Sequence, residues 1–229
     1  EHNMFTPGNY FYNGIGHVTV CYDRILNQGL EGIIRQAQEA LEKCKVSDED
    51  YSRRSHFLSA VILSCQAAID YAHRYARLAL EEAERCTDQK RKLELALIAK
   101  NCAQVPGKPA RDFYEACQSF WFIQMLLQVE SSGHSISPGR FDQYMYPFLK
   151  NDLDAGNITY QAAQEIVDCV WVKLNDLNKA RDAASAEGFA GYSLFQNLIA
   201  GGQTAEGLDA TNDMSFLCLQ ATLHVMLPQ

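Results

Sequence analysis

The stretch Gly133-His134-Ser135-Ile136-Ser137-Pro138-Gly139-Arg140-Phe141-Asp142-Gln143-Tyr144-Met145-Tyr146-Pro147 packs a helix breaker, a turn and a helix start into one short segment. Gly133, preceded by Ser131 and Ser132, interrupts the helical pattern upstream. Ser137-Pro138-Gly139 predicts a turn, because proline presets φ and glycine tolerates the left-handed region. From Arg140 to Leu153 the pattern reads as helix.

Upstream of this segment the chain is dominated by helical periodicity. Ile25, Leu26, Leu30, Ile33, Ile34, Ala37 and Leu41 recur at three and four residues, one face of an amphipathic helix that Gly29 and Gly32 weaken. Ser47-Asp48-Glu49-Asp50 supplies a capping residue and first-turn acids, predicting a long helix to about residue 86 with Glu81 and Arg85 paired on its solvated face. Thr87-Asp88 restarts a helix to Val105, which Pro106-Gly107-Lys108-Pro109 ends, and another spans about 111 to 129.

Downstream, Asn157 or Thr159 caps a helix whose apolar side carries Ala163, Ile166, Val167, Val170, Val172 and Leu174. Then the texture changes. Phe195-Gln196-Asn197-Leu198-Ile199-Ala200, flanked by glycines, predicts a short buried strand, and a last helix runs from Asp213 to Met226. Residues 1–20 are rich in Gly, Asn and aromatics and predict a structured loop with an extended piece near His17 to Cys21.

Composition narrows the function classes. The 229 residues are 47% hydrophobic and 21% charged with a formal charge of -8, an ordinary globular make-up with no basic stripe to hold nucleic acid or anionic lipid. No apolar run reaches the length of a bilayer span, and a cytoplasmic location is expected. The eight cysteines form no CxxC pair or compact framework, which predicts free, mostly buried thiols. A start without Met and an apolar finish at Leu227-Pro228-Gln229 read as part of something longer.

Several motif tests fail. Thr19 stands where a dinucleotide loop beginning at Gly14-Ile15-Gly16 requires its third glycine, and Leu208-Asp209 replace the lysine and hydroxyl of a phosphate loop. The serine motif of a hydrolase elbow is broken at Gly133-His134-Ser135. No histidine pair or Cys/His cluster offers a zinc shell, so no metal site is expected.

The 133–147 segment resembles the HS-S-GR-DQY-YP pattern of the glycyl radical enzymes, the family of pyruvate formate-lyase and its dehydratase relatives. Gly201-Gly202 to Thr211-Asn212-Asp213 and Asn13-Gly14-Ile15-Gly16-His17-Val18 agree with it, in the same order along the chain. The resemblance implies an α/β, mostly helical fold: the N-terminal portion of a ten-stranded α/β barrel, with residues 1–229 as a single partial domain. The start of the chain is most similar to the cobalamin-independent glycerol and propanediol dehydratases, which implies elimination of water from a small diol.

In that resemblance His17 takes the place of a catalytic histidine, while Ser135 and Tyr192 match residues lining the substrate pocket. The chemistry suits them. Hydroxide is a poor leaving group, and an imidazolium is a sensible proton donor near neutral pH. A serine hydroxyl both donates and accepts, and so can hold a substrate hydroxyl in register. The plainer structural readings are a turn-capping His17, a Ser135 bonded to the loop backbone and a core Tyr192.

The resemblance further implies a radical stored on a downstream glycine, installed by an S-adenosylmethionine-dependent activating enzyme and passed to a cysteine in a Cys-x-Glu context. None of the eight cysteines here has that context, so these residues alone are expected to be inactive. A homodimer is implied for the full-length enzyme. Sister enzymes share the frame, among them choline trimethylamine-lyase, hydroxyproline dehydratase and pyruvate formate-lyase. A non-catalytic helical interaction scaffold is the reading from another class.

Overall fold

A computed structural model describes residues 16–130, 135–177, 183, 187 and 194–227. These are mostly helical, in agreement with the long 3.6-residue periodicities. The order is β1 (Val18–Thr19), α1 (Tyr22–Glu42), α2 (Tyr51–Arg85), α3 (Gln89–Gln104), α4 (Phe113–Glu130), β2 (Ile136–Ser137), α5 (Phe141–Asp154), α6 (Tyr160–Asp176) and α7 (Asp213–Val225). The chain forms two compact units, Tyr22–Phe122 and the remainder. No closed barrel is visible among the described residues.

In the Tyr22–Phe122 unit, α2 turns a row of small residues inward. Ala72, Ala76, Ala79 and Ala83 are all buried, a spacing that lets neighbouring helices approach closely. Gly29 does more than weaken α1. It sits at φ 66°, ψ 170°, a sharp kink inside the helix. There Leu30 N and Glu31 N donate to the carbonyls of Pro106 and Gly107 at 2.8 and 2.9 Å. A Cβ on Gly29 would lie 2.3 Å from the Gly107 carbonyl oxygen, so only glycine admits this approach. Tyr22 and Phe120 meet at 4.8 Å between ring centroids in the core of this unit.

Two local expectations are corrected. The acids 48–50 do not form a first turn: α2 begins at Tyr51, and Asp50 makes no side-chain cap. Asp48 instead accepts from Lys45 N at 3.0 Å, closing a turn before the helix, while Asp50 faces Arg53 and Arg54 at 3.8 Å each. Arg85 pairs with Glu82 at 3.3 Å, one residue nearer than Glu81, a spacing of three that also places side chains on adjacent turns. Other starts behave as read: Asp88 caps α3 by accepting from Arg91 N, and Thr159 caps α6 by accepting from Ala162 N.

In the other unit α5, α6 and α7 bury one core, with Phe141, Met145, Leu149, Val167, Met214 and Leu217 fully enclosed. Phe141 and Trp171 pack edge to face at 5.9 Å. Asn212 and Ser215 form a reciprocal capping box at the start of α7. β1 and β2 pair in parallel, with Val18 opposite Ile136 and Thr19 opposite Ser137.

The buried strand expected at Phe195–Ala200 is not a regular strand. The segment makes one parallel bridge, Leu198 with Gly139. Phe195 stands at φ 55°, a left-handed residue that interrupts an extended run. Leu194 and Gln196 are buried, but Ile199 is 52% exposed. The expectation of mostly buried thiols also needs correction: Cys102, Cys117 and Cys218 are buried, whereas Cys21 and Cys169 are exposed.

Candidate functional site

The site is built where three extended segments run side by side. Val18 N donates to the Ser135 carbonyl at 3.2 Å, and Ser135 N donates to the Leu194 carbonyl at 3.0 Å. Ser135 is therefore the middle member of a transverse row, with His17 on one side and the 194–195 peptide on the other. His17, Ser135 and Phe195 all adopt left-handed backbone, at φ 58°, 55° and 55°. For a non-glycine residue that conformation costs roughly 1–2 kcal/mol. Three such residues in register mean that the cross-segment hydrogen bonds and packing hold all of them against their local preference.

Ser135 is 2% exposed, and its hydroxyl has no hydrogen-bond partner among the described residues. A buried hydroxyl left unpaired is costly. Among the described residues this one makes no bond to backbone. His17 is exposed and stands beside it at the head of β1. The structure thus brings two of the sequence-derived residues together. Tyr192 and the neighbouring His134 lie outside the described residues.

The surrounding frame is a set of buried polar fasteners. Gln124, within the apolar helix α4, donates to the Ile136 carbonyl at 2.8 Å and to Gln196 Oε1 at 2.7 Å. Gln196 Nε2 continues to the Leu174 carbonyl at 2.9 Å. These two glutamines fix β2 and the 194–196 segment against helices α4 and α6. In the sequence Gln124 is visible only as a polar break in an apolar run; nothing local marks its partner 72 residues away.

Within Gly139-Arg140-Phe141-Asp142-Gln143-Tyr144, the polar side chains hold neighbouring loops. Arg140 donates to the Gly201 carbonyl at 3.2 Å, Gln143 to the Ala210 carbonyl at 2.9 Å and Tyr144 to the Pro138 carbonyl at 3.0 Å. Asp142, fully buried, accepts from Gly201 N at 2.6 Å and from the Ser215 hydroxyl. Gly139 is left-handed, and a Cβ there would lie 2.5 Å from Thr19 Cγ2. The motif therefore ties the 136–139 strand end, the Gly201-Gly202 turn and the start of α7 into one piece.

A family model described as pyruvate formate lyase-like matches residues 1–229, the whole chain. The chain belongs to that family. Among solved structures, the chain superimposes at TM-score 0.95 on a protein studied for 1,2-propanediol dehydration in Roseburia inulinivorans, with 62% identity over 99% of this chain and 27% of that one. It also matches the glycerol-bound B12-independent glycerol dehydratase from Clostridium butyricum at TM-score 0.92 and 55% identity, over 97% of this chain and 28% of the other. Among curated proteins, it is 38% identical to the (2S)-3-sulfopropanediol dehydratase of Klebsiella oxytoca across 98% of its own length. The chain spans about a quarter of that relative, 27%.

The pyruvate formate lyase-like chain shows no group of three or more metal-ligating side chains among the described residues. Burial pushes the Cys102 thiol up to about 11, and those of Cys65, Cys169 and Cys218 are also raised, each chiefly by burial. None of the helices among the described residues is long and apolar enough to cross a membrane.

Proposed function

We propose that this chain is the N-terminal part of one pyruvate formate-lyase-type domain, that of a glycyl radical dehydratase which eliminates water from a small diol such as glycerol or 1,2-propanediol. The observation that supports the reading is the buried Ser135, whose hydroxyl has no partner among the described residues, next to His17 in the β1–β2 register. A hydroxylated guest is what such a group accepts, and the similarity to the Roseburia and Clostridium proteins supports a diol as that guest.

Ser135 holds one substrate hydroxyl in register, and His17 supplies a proton to the departing hydroxyl, turning a poor leaving group into water. The family resemblance assigns Tyr192 to the substrate pocket as well. A glycyl radical, installed by an S-adenosylmethionine-dependent activating enzyme, supplies hydrogen abstraction in the whole protein. With no Cys-x-Glu among its cysteines, residues 1–229 alone do not turn over a diol. The whole protein is a cytoplasmic homodimer on this reading.

The test is a chimera in which residues 1–229 replace the matching region of the Roseburia protein. After activation it should dehydrate 1,2-propanediol or glycerol, and His17→Ala should depress kcat far more than it raises KM, because the proton is needed in the transition state. Unchanged turnover in that variant removes His17 from the mechanism. Activation without turnover of either diol, together with turnover of isethionate or hydroxyproline, moves the substrate assignment to a sister enzyme.

A further inference from the structure

We infer that Phe195 is the third substrate-facing member of the row through His17 and Ser135, and that it sets substrate preference by favouring the methyl group of 1,2-propanediol over the hydroxymethyl group of glycerol. The inference rests on the dehydratase reading and adds to it a residue that discriminates between the two diols.

Register places Phe195 there. In a parallel pair an N–H donates to the carbonyl one residue before its partner. Val18 N donates to the Ser135 carbonyl and lies opposite Ile136. By the same rule Ser135 N, donating to the Leu194 carbonyl, puts Ser135 opposite Phe195. His17, Ser135 and Phe195 thus sit across from one another on three adjacent segments, spaced about 4.8 Å apart. All three share the left-handed backbone, and a shared conformation at matched positions sends their side chains to one side of the row.

The residue after Phe195 marks the other side. Gln196 is 3% exposed and is bonded to Gln124 of α4 and to the Leu174 carbonyl of α6 at 2.7 and 2.9 Å. Successive side chains of an extended segment take opposite faces. The helices therefore cover the Gln196 side, and the row turns His17, Ser135 and Phe195 away from them.

The backbone at Phe195 points the same way. A φ of 55° is an outlier for a bulky residue, and glycine would occupy it without strain. The position nevertheless holds a half-buried aromatic ring, between Leu194 and Gln196, which already anchor the segment by their burial. Strain of this kind persists where a side chain has to be aimed.

Two members of the row are polar and one is not, an asymmetry that a three-carbon diol shares. Its hydroxyl-bearing carbons suit His17 and Ser135, which leaves the third carbon against the ring. A methyl group packs there. The third hydroxyl of glycerol would give up its bond to water and find no replacement on a phenyl ring.

The test compares kcat/KM for the two diols in the activated chimera described above, carrying Phe195, Phe195→Leu or Phe195→Asn. Leucine keeps the apolar wall and should hold the propanediol-to-glycerol ratio within about twofold. Asparagine tolerates left-handed backbone and offers an amide to the third hydroxyl, so the ratio should fall about tenfold or more. A merely structural residue would lower both diols together. An unchanged ratio in Phe195→Asn overturns the proposal and leaves the dehydratase reading standing. Should Phe195→Asn lose activity on both diols, the substitutions are made at the matching position of the Roseburia enzyme, where an unchanged ratio overturns it equally. A chimera that forms its radical but turns over neither diol, while the Roseburia enzyme does, sinks the dehydratase reading and this inference with it.

Discussion

His17 and Ser135 stand next to one another, each one residue ahead of a strand in a parallel pair, each at left-handed φ, and joined by the 3.2 Å bond from Val18 N to the Ser135 carbonyl. The two residues are far apart in the chain. Their meeting is a consequence of register, since shifting β1 by one residue would carry His17 away from Ser135 and turn its side chain to the other face.

Ser135→Ala separates structural from substrate roles. The hydroxyl has no partner among the described residues, so its removal relieves an uncompensated desolvation and should raise stability by about 1–2 kcal/mol. Ser135→Val, which puts a β-branched side chain at φ 55°, should cost about 1–3 kcal/mol. Urea unfolding of the three proteins checks this, and a large loss for the alanine variant would show that the hydroxyl holds the fold.

Ser215→Ala strips one donor from the buried Asp142 carboxylate and half of the α7 capping box at once. The expected loss is about 2–3 kcal/mol. Asn212→Ala, which removes the cap but leaves Asp142 its donor, should cost about 1 kcal/mol. Equal losses from the two would mean that the Asp142 bond adds nothing.

Glycine substitutions should rank by space. Gly29→Ala and Gly139→Ala force a Cβ to 2.3 and 2.5 Å from neighbouring atoms and should lower Tm sharply or prevent folding. Gly156→Ala, at φ 70° with nothing within 4 Å, meets only the backbone strain and should cost about 1 kcal/mol. A thermal melt of each variant gives the order.

Stability should fall as pH rises from about 9 to about 11. Burial raises the Cys102 thiol to about 11 from its ordinary value of 9.0, so in that window the unfolded chain releases a proton that the folded chain keeps. Linkage then favours unfolding by up to about 1.4 kcal/mol per pH unit, with no effect below pH 9. Cys102→Ala should flatten this part of the profile in a pH series of urea midpoints. An unchanged slope would assign the alkaline loss to other groups.

The helices were determined by the sequence acting locally. Apolar residues spaced at three and four, the Asp88 and Thr159 caps and the Pro106-Gly107 stop each lower the free energy of a helix or its end through near neighbours, and α1, α3 and α6 follow them closely. Where two local signals competed, as at Ser47 to Asp50, the turn held by Asp48 won and the helix began later. His17 and Ser135 were legible through family resemblance alone; no spacing joins them. Tertiary structure decided the rest: the left-handed row through His17, Ser135 and Phe195, the Gln124–Gln196 bond, and the capture of Gly201 and Ser215 by Asp142. Those features depend on hydrogen bonds between residues 59 or more apart, closed only once burial has removed water as the competing partner. A one-dimensional pattern encodes which face of a segment is buried, but the partner across that face is selected by the packing of the whole unit.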